Sequence, residues 1–185
     1  PDEAKFEMRA LDILQERVDV FRSQVPAPGE GALSREVAGL REDVRSFVRM
    51  IRSDSADSIA LELKFGIDGD EPVAIELEGG RLRLRGAIDR VDQDLHGLHV
   101  IDYKTGKADD YGADVFGGGR HLQHAIYAKV AEERLGVEVV DGQYHFPTRK
   151  GQNQRVVYDR DEMSRLEDLL ELLLDGVVRG HFVPT

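Results

Sequence analysis

The 185-residue chain has no cysteine and no tryptophan. Without cysteine it can build no disulfide, no thiolate zinc site and no iron–sulfur cluster from its own residues, and it is compatible with a reducing cytoplasm. Without tryptophan, and with aromatics at only 6% of residues, a broad stacking platform is not expected. No apolar run approaches the roughly 20 residues of a membrane-spanning helix. The charged, helix-patterned start "PDEAKFEMRALDILQERV" is no signal peptide. Positive charge is scarce as well: 25 Lys and Arg face 36 Asp and Glu, for a net charge of −11. That excludes a free-standing basic coat for nucleic acid. It does not exclude an enzyme acting on a polyanion, because carboxylates that hold a metal add to the negative count and a neighbouring domain could supply cations. What remains, 41% hydrophobic and 33% charged residues, is an ordinary globular composition of a size for one domain with a real core.

Periodicity divides the chain. Phe6, Ala10, Ile13, Leu14, Val18 and Phe21 recur at helical spacing over residues 3–24. "PAPGEGA" (26–32) reads as a linker, and Ser34 as the N-cap of a second helix running to residue 52. Alternation then becomes twofold, with Ile59, Leu61, Leu63 and Phe65 as the half-buried set of a strand. "VAIEL", "RLRLRGAIDRV" and "LHVIDYK" read as the next three strands, the second as one long strand. A loop, a helix closed by Gly136, the strand "VEVVDGQYHF", a short strand "RVVYD" and a single last helix over 160–180 complete the order. This predicts an α/β fold with a central mixed β-sheet flanked by helices. The helical segment is expected over 1–58 and the sheet-bearing core over 59–185, as one compact domain overall.

Asp89 ends one apolar strand pattern, and thirteen residues later Asp102 and Lys104 end another. Residues two apart share a face of a strand, so Asp102 and Lys104 point one way while Ile101 and Tyr103 point the other. An acid beside a lysine can be a plain ion pair. Two carboxylates and a backbone carbonyl are also hard oxygen ligands suited to Mg²⁺ or Mn²⁺. A lysine beside such a metal would position a water or stabilise charge on a phosphate, as metal-assisted phosphodiester hydrolysis requires. Glu62 lies on an earlier strand in the same series. Gln123 and Tyr127, four apart, share one face of the following helix, where a tyrosine could equally be core.

The blocks "GAIDRVD" (86–92), "VIDYKTGK" (100–107) and "GRHLQHAIYA" (119–128), with "ELKFG" (62–66) before them and "QYHFPTRKG" (143–151) after, resemble the PD-(D/E)XK nucleases. The resemblance is to the RecB-like branch found in RecB, AddB and CRISPR-associated exonucleases. It covers roughly residues 60–185 and implies a restriction-endonuclease-like αβββαβ core with extra N-terminal helices. It further implies a Mg²⁺- or Mn²⁺-dependent, exonuclease-like deoxyribonuclease acting in DNA repair or recombination, at the nucleoid in a bacterial cytoplasm. Asp89 and Asp102 would hold the metal with the Tyr103 carbonyl, and Glu62 would approach it or shape the pocket. Lys104 would be the catalytic lysine, and Gln123 and Tyr127 would border the site. The partners implied are DNA, as single strands or duplex ends, and helicase domains or a helicase subunit; no membrane partner is expected.

Two features depart from that branch. Many members carry a metal-site histidine on an early helix, and residues 3–24 and 34–52 contain none. AddB-like members often continue past a G-x-F-x-P segment into cluster-binding cysteines, whereas here "GHFVPT" (180–185) ends the sequence. The expectation is a nuclease domain excised from a longer protein, with any iron–sulfur cluster confined to the parent. Two other readings stand beside an active nuclease: a nuclease-like domain that binds DNA or scaffolds without cutting, and an unrelated acidic α/β domain with surface ion pairs. The pairs His96/His99 and His121/His124 are too few for a zinc site and read as surface or DNA-contacting histidines. "GGGR" lacks the frame of a nucleotide P-loop. "LEDLLELLLDGVV" reads as a core helix packing on the sheet.

Overall fold

A computed structural model describes residues 3–25 and 29–181. The linker residues 26–28 and the C-terminal residues 182–185 of the "GHFVPT" segment lie outside the described residues. Helices α1 (Glu3–Gln24) and α2 (Glu30–Arg52) are followed by strands β1 (Asp57–Phe65), β2 (Val73–Leu77), β3 (Gly80–Leu84), β4 (Gly86–Gln93) and β5 (Leu98–Tyr103). Then come α3 (Gln123–Leu135), β6 (Val139–Phe146), β7 (Gln154–Asp159), α4 (Arg160–Met163) and α5 (Leu166–Val178). The fold is the expected α/β class, a mixed five-stranded sheet flanked by helices, with two helices ahead of it. Contacts divide the chain into two compact units. One comprises residues 1–55, 104–107 and 146–154, and the other residues 56–103, 108–145 and 155–185.

In the first unit α1 and α2 form an antiparallel hairpin. Glu7 pairs with Arg45 at 3.0 Å, Gln15 with Arg41 at 2.7 Å and Arg22 with Glu30 at 3.0 Å. Leu14, Val18 and Phe21 face Leu33, Val37 and Leu40 across a groove of about 630 Å³. α2 begins at Glu30, four residues before the expected cap. Gly29 is extended ahead of it, Glu30 sits favourably in the first turn, and Ser34 Oγ bonds back to the Glu30 carbonyl at 2.8 Å instead of capping. Residues 147–153 lie against this helix. The Arg149 N–H donates to Asp43 at 2.8 Å and its guanidinium reaches Glu42 at 3.0 Å, while Ser46 Oγ meets Asn153 at 2.6 Å.

The second unit is built on the sheet, in the order β1-β4-β5-β6-β7. β4 is antiparallel to β1 and to β5, and β5 is parallel to β6 through the α3 crossover. Ile88, Val91, Leu98, Val100 and Val139 are fully buried on the inner strands, each worth about 1.5–3 kcal/mol of apolar burial. β2 and β3 form a separate two-stranded ribbon. The long strand expected over "RLRLRGAIDRV" is therefore two strands broken at Arg85. The break has a packing cause: a Cβ at Gly86 would lie 3.0 Å from the Phe65 ring, and one at Gly66 (φ +67°) would lie 2.8 Å from the Arg85 Cβ.

β1 departs from its expected pattern too. Phe65 is 1% exposed but Leu61 is 70% exposed, because β1 is an edge strand whose early half leaves the core. The last helix is two. Asp159 and Glu162 cap α4 reciprocally, and Ser164 Oγ takes the Asp161 carbonyl at 2.6 Å where the chain breaks. α5 buries Leu166 and Leu170, sets Leu174 against the β2–β3 turn at Gly79, and leaves Leu172 and Leu173 exposed.

Candidate functional site

The β4–β5 ladder pairs Gln93 with Leu98, Asp92 with His99, Val91 with Val100 and Arg90 with Ile101. One further step in that register sets Asp89 opposite Asp102, and opposed residues of an antiparallel pair share a face. There the side chain takes over from the backbone: Asp89 Oδ2 accepts the Tyr103 N–H at 2.8 Å. Asp102 is 4% exposed and Asp89 half-buried. On its other side Asp102 pairs with Tyr144 of β6. Burial, and to a lesser degree the Asp102 charge, push the Tyr144 phenol well above its ordinary pKa.

α3 covers this face through His124, whose Nδ1 lies 3.1 Å from the Tyr144 hydroxyl. His124 is fully buried, not a surface or DNA-contacting histidine. Burial, aided by nearby His121, holds its pKa down at about 4, so it packs as a neutral ring. His121 stacks on Tyr111 at 4.0 Å. Gln123, the first residue of α3, donates from Nε2 to the Tyr127 hydroxyl at 3.2 Å. The Tyr127 ring meets Phe65, at the end of β1, edge-on at 6.1 Å. Thus the glutamine and tyrosine form one hydrogen-bonded unit at the start of the helix laid over the Asp102 face.

Glu62 stands differently. The β1–β4 register leaves it opposite Asp89, but it is exposed and sits in left-handed backbone at φ +53°. Such a conformation is costly for a glutamate. Lys104 follows directly after β5, two residues beyond Asp102 in the chain, and is half-buried. Among the described residues no cluster of three or more His, Cys, Asp or Glu side chains is assembled for a metal. If a metal were held here, Asp89, Asp102 and the Tyr103 main-chain carbonyl would offer it hard oxygens. Such a set fits a divalent cation that keeps several of its waters, and a cation there would offset the repulsion of two like charges facing each other across a ladder.

On the opposite face lies an array that sequence reasoning missed. Arg90 and Asp92 form a buried two-point ion pair, with Nε to Oδ1 at 2.6 Å and Nη2 to Oδ2 closer still. Arg90 also donates to the Tyr103 hydroxyl at 3.2 Å. Burial pulls the guanidinium pKa down, but the bonds to Asp92 and Tyr103 outweigh it and hold the pKa above its ordinary value. Tyr103 meets His145 edge-on, and His145 continues through Gln143 to Asp141 and His99 at 2.6–2.9 Å per step. The available signal was the period-two spacing of Arg90 with Asp92, of His99 and Ile101 with Tyr103, and of Asp141 and Gln143 with His145, on three adjoining strands.

Comparisons with known proteins bear on the family of the chain. A 74-residue stretch is 42% identical to an ATP-dependent helicase/deoxyribonuclease subunit of Acetivibrio thermocellus, covering 37% of this chain and 6% of that protein. The protein of the same name from Clostridium tetani is 45% identical over 74 residues, with the same coverage. That of Symbiobacterium thermophilum is 45% identical over 84 residues, covering 40% of this chain and 7% of its own. The chain therefore matches only a small part of these relatives' length. A solved structure titled "Crystal structure of SSO0001" aligns with 89% of this chain and 70% of its own at 17% identity, with a TM-score of 0.37, a distant likeness that adds nothing to the assignment. The PD-(D/E)XK nuclease superfamily model matches residues 3–185, and the chain belongs to that superfamily.

Proposed function

We propose that the chain is a metal-dependent DNA nuclease domain that hydrolyses phosphodiester bonds in DNA repair or recombination. The observation that supports this best is that Asp89 lies one register step beyond the Arg90–Ile101 pair, on the Asp102 face, with its carboxylate on the Tyr103 N–H. In this reading Asp89, Asp102 and the Tyr103 carbonyl hold Mg²⁺ or Mn²⁺, and Glu62 approaches from the sheet edge. When bound, the cation supplies Lewis acidity at the phosphate and lowers the pKa of water.

The chain's own residues do the rest. Asp89 fixes the Tyr103 main chain and, through it, the direction of the carbonyl. Lys104 orients the attacking water and stabilises negative charge gathering on the phosphate. The water gives up a proton to solvent as its oxygen forms the new P–O bond, the P–O bond to one sugar oxygen breaks, and that oxygen takes up a proton from solvent as it leaves. Gln123 and Tyr127 border the site and contact the strand being cut.

The relatives' names join a helicase to a deoxyribonuclease. We assign the chain to the nuclease part of a helicase–nuclease, acting exonucleolytically on single strands or duplex ends in a bacterial cytoplasm. Among the described residues no helix is long and apolar enough to cross a membrane.

The test is cleavage of labelled single- and double-stranded DNA with Mg²⁺, Mn²⁺ or EDTA, beside Asp102→Ala and Lys104→Ala. Cutting that needs the metal and disappears in both variants supports the proposal. DNA binding with no cutting in any metal would replace it with a binding or scaffolding role.

A further inference from the structure

β5 and β6 are parallel neighbours, paired as far as Tyr103 with His145. The segments that follow them therefore leave the same end of the sheet, the end where α/β proteins gather ligands. Residues 104–107 and 146–154 belong to one compact unit and approach each other closely. Thr148 Oγ1 donates to the Thr105 carbonyl at 3.3 Å and accepts the Gly151 N–H at 3.1 Å. A Cβ on Gly151 would lie 3.0 Å from the Gly106 carbonyl and 2.5 Å from the Phe146 Cβ, so only glycine allows this approach.

The composition of the pair is unlike that of the chain. These two segments carry Lys104, Lys107, Arg149 and Lys150 and no acid, in a protein whose acids outnumber its Lys and Arg by 36 to 25. The four cations differ in situation. Arg149 is committed to α2 through Asp43 and Glu42, and the Asp43 bond, outweighing slight desolvation, raises its pKa further. It acts as an anchor that holds its loop in place. Lys107 directly follows Gly106 and Lys150 directly precedes Gly151, the two glycines at which the segments approach, and both lysines are exposed residues. Ammonium groups set on a loop pair braced in this way suit phosphate oxygens, which position a nucleic-acid strand without reading its sequence.

We infer that the paired loops after β5 and β6 form a phosphate-binding rim in which Lys107 and Lys150 hold the sugar–phosphate backbone of a nucleic-acid strand. The inference rests on the nuclease reading for the identity of the ligand. It adds that this acidic domain carries its own backbone contacts.

The test is anisotropy of a fluorescent single-stranded oligonucleotide, titrated with the protein in EDTA between 50 and 200 mM salt. Wild type is compared with Lys107→Gln/Lys150→Gln, with Lys107→Arg/Lys150→Arg and with Lys5→Gln on exposed α1. The double glutamine variant should bind about tenfold more weakly, and its log–log salt slope should fall by about 1.4, or ~0.7 for each phosphate of a single strand that is no longer neutralised. The double arginine variant should restore both, and Lys5→Gln should change neither. Circular dichroism melting shows whether each variant is folded. Equal affinity and slope in wild type and the double glutamine variant, or an equal drop in Lys5→Gln, would overturn the inference, as would a wild type that binds no strand. Cutting of the same oligonucleotide in Mn²⁺ is read separately. A wild type that binds with the expected salt slope but never cuts defeats the nuclease reading and leaves the rim; one that cuts while the double glutamine variant binds unchanged does the reverse.

Discussion

Asp89 Oδ2 accepts the main-chain N–H of Tyr103 at 2.8 Å, at the step where the β4–β5 ladder would otherwise continue to Asp102. One carboxylate thereby carries two duties: it satisfies a half-buried backbone donor and faces a second acid. The duties separate by mutation. Asp89→Asn keeps an oxygen acceptor for the N–H and loses the charge, so the fold should persist while Mn²⁺ binding and cutting are lost. Asp89→Ala leaves the donor unmade and should cost a further ~1–3 kcal/mol. Calorimetric Mn²⁺ titration and urea unfolding of both variants check this. Equal Mn²⁺ binding by wild type and Asp89→Ala would refute the assignment of Asp89.

Asp102 gives the opposite sign. It is nearly inaccessible and faces Asp89, and like charges opposed in a ladder are destabilising. Asp102→Asn should therefore leave the metal-free protein as stable as wild type or slightly more so, while abolishing cleavage. Unfolding in EDTA reads the first part and the nuclease assay the second. A destabilised Asp102→Asn protein would mean that the acid is held by its neighbours as a structural group.

The Arg90–Asp92 pair should behave as a buried unit. Removing Asp92 alone strands a guanidinium that is 6% exposed, and such losses run to about 3–5 kcal/mol. Arg90→Met with Asp92→Leu should cost much less than the sum of the single changes. A double-mutant cycle in urea measures the difference. Additive single costs would show that the pair is not coupled.

How much of this could be read beforehand depends on whether the cause was local. Asp89 and Asp102 stood out because acids at the ends of apolar, period-two runs violate a local rule. α1 and the Gly136 stop of α3 followed from spacing and one residue's tolerance of positive φ. The break between β3 and β4 did not, because its cause is the Phe65 ring lying over Gly86, twenty-one positions on. The early start of α2 was hidden by Ser34, a good capping residue that bonds backward instead. The left-handed backbone at Glu62 and the burial of His124 leave no mark on periodicity at all.

His124 and His99 should set opposing pH responses. The folded His124 pKa of about 4 lies below its unfolded value near 6.5. Between those values the unfolded chain binds the extra proton, so this group removes stability as pH falls from 6.5 to 4, by up to ~3 kcal/mol. For His99, burial lowers the pKa, but bonds to Asp141 and Asp94 outweigh it and raise it above the ordinary value. Its contribution is full below 6.5 and fades as pH climbs through the folded pKa. His124→Asn, whose amide oxygen can replace Nδ1, should flatten the acid-side fall in the urea midpoint. Removing His99 should leave that fall unchanged and instead abolish the loss of stability seen as pH climbs from 6.5 through the folded His99 pKa. Parallel pH profiles in wild type and His124→Asn would contradict the buried neutral ring.

Tyr127 offers a cleaner separation of structure from chemistry. Its ring packs edge-on against Phe65, while its hydroxyl accepts from Gln123 at the exposed start of α3. Tyr127→Phe keeps the ring contact, so the structural cost should stay near that of one net hydrogen bond, about 0.5–1.5 kcal/mol. If Gln123 and the hydroxyl border the strand being cut, the same change should reduce kcat/KM by more than this loss of stability can explain, with the protein still fully folded at the assay temperature. Gln123→Ala should give a similar deficit, and the double variant little more than either alone, because the two groups act as one unit. Steady-state cleavage of a single-stranded oligonucleotide in Mn²⁺ measures all three. Wild-type kinetics in Tyr127→Phe would confine that hydroxyl to holding α3 together and remove both residues from the site.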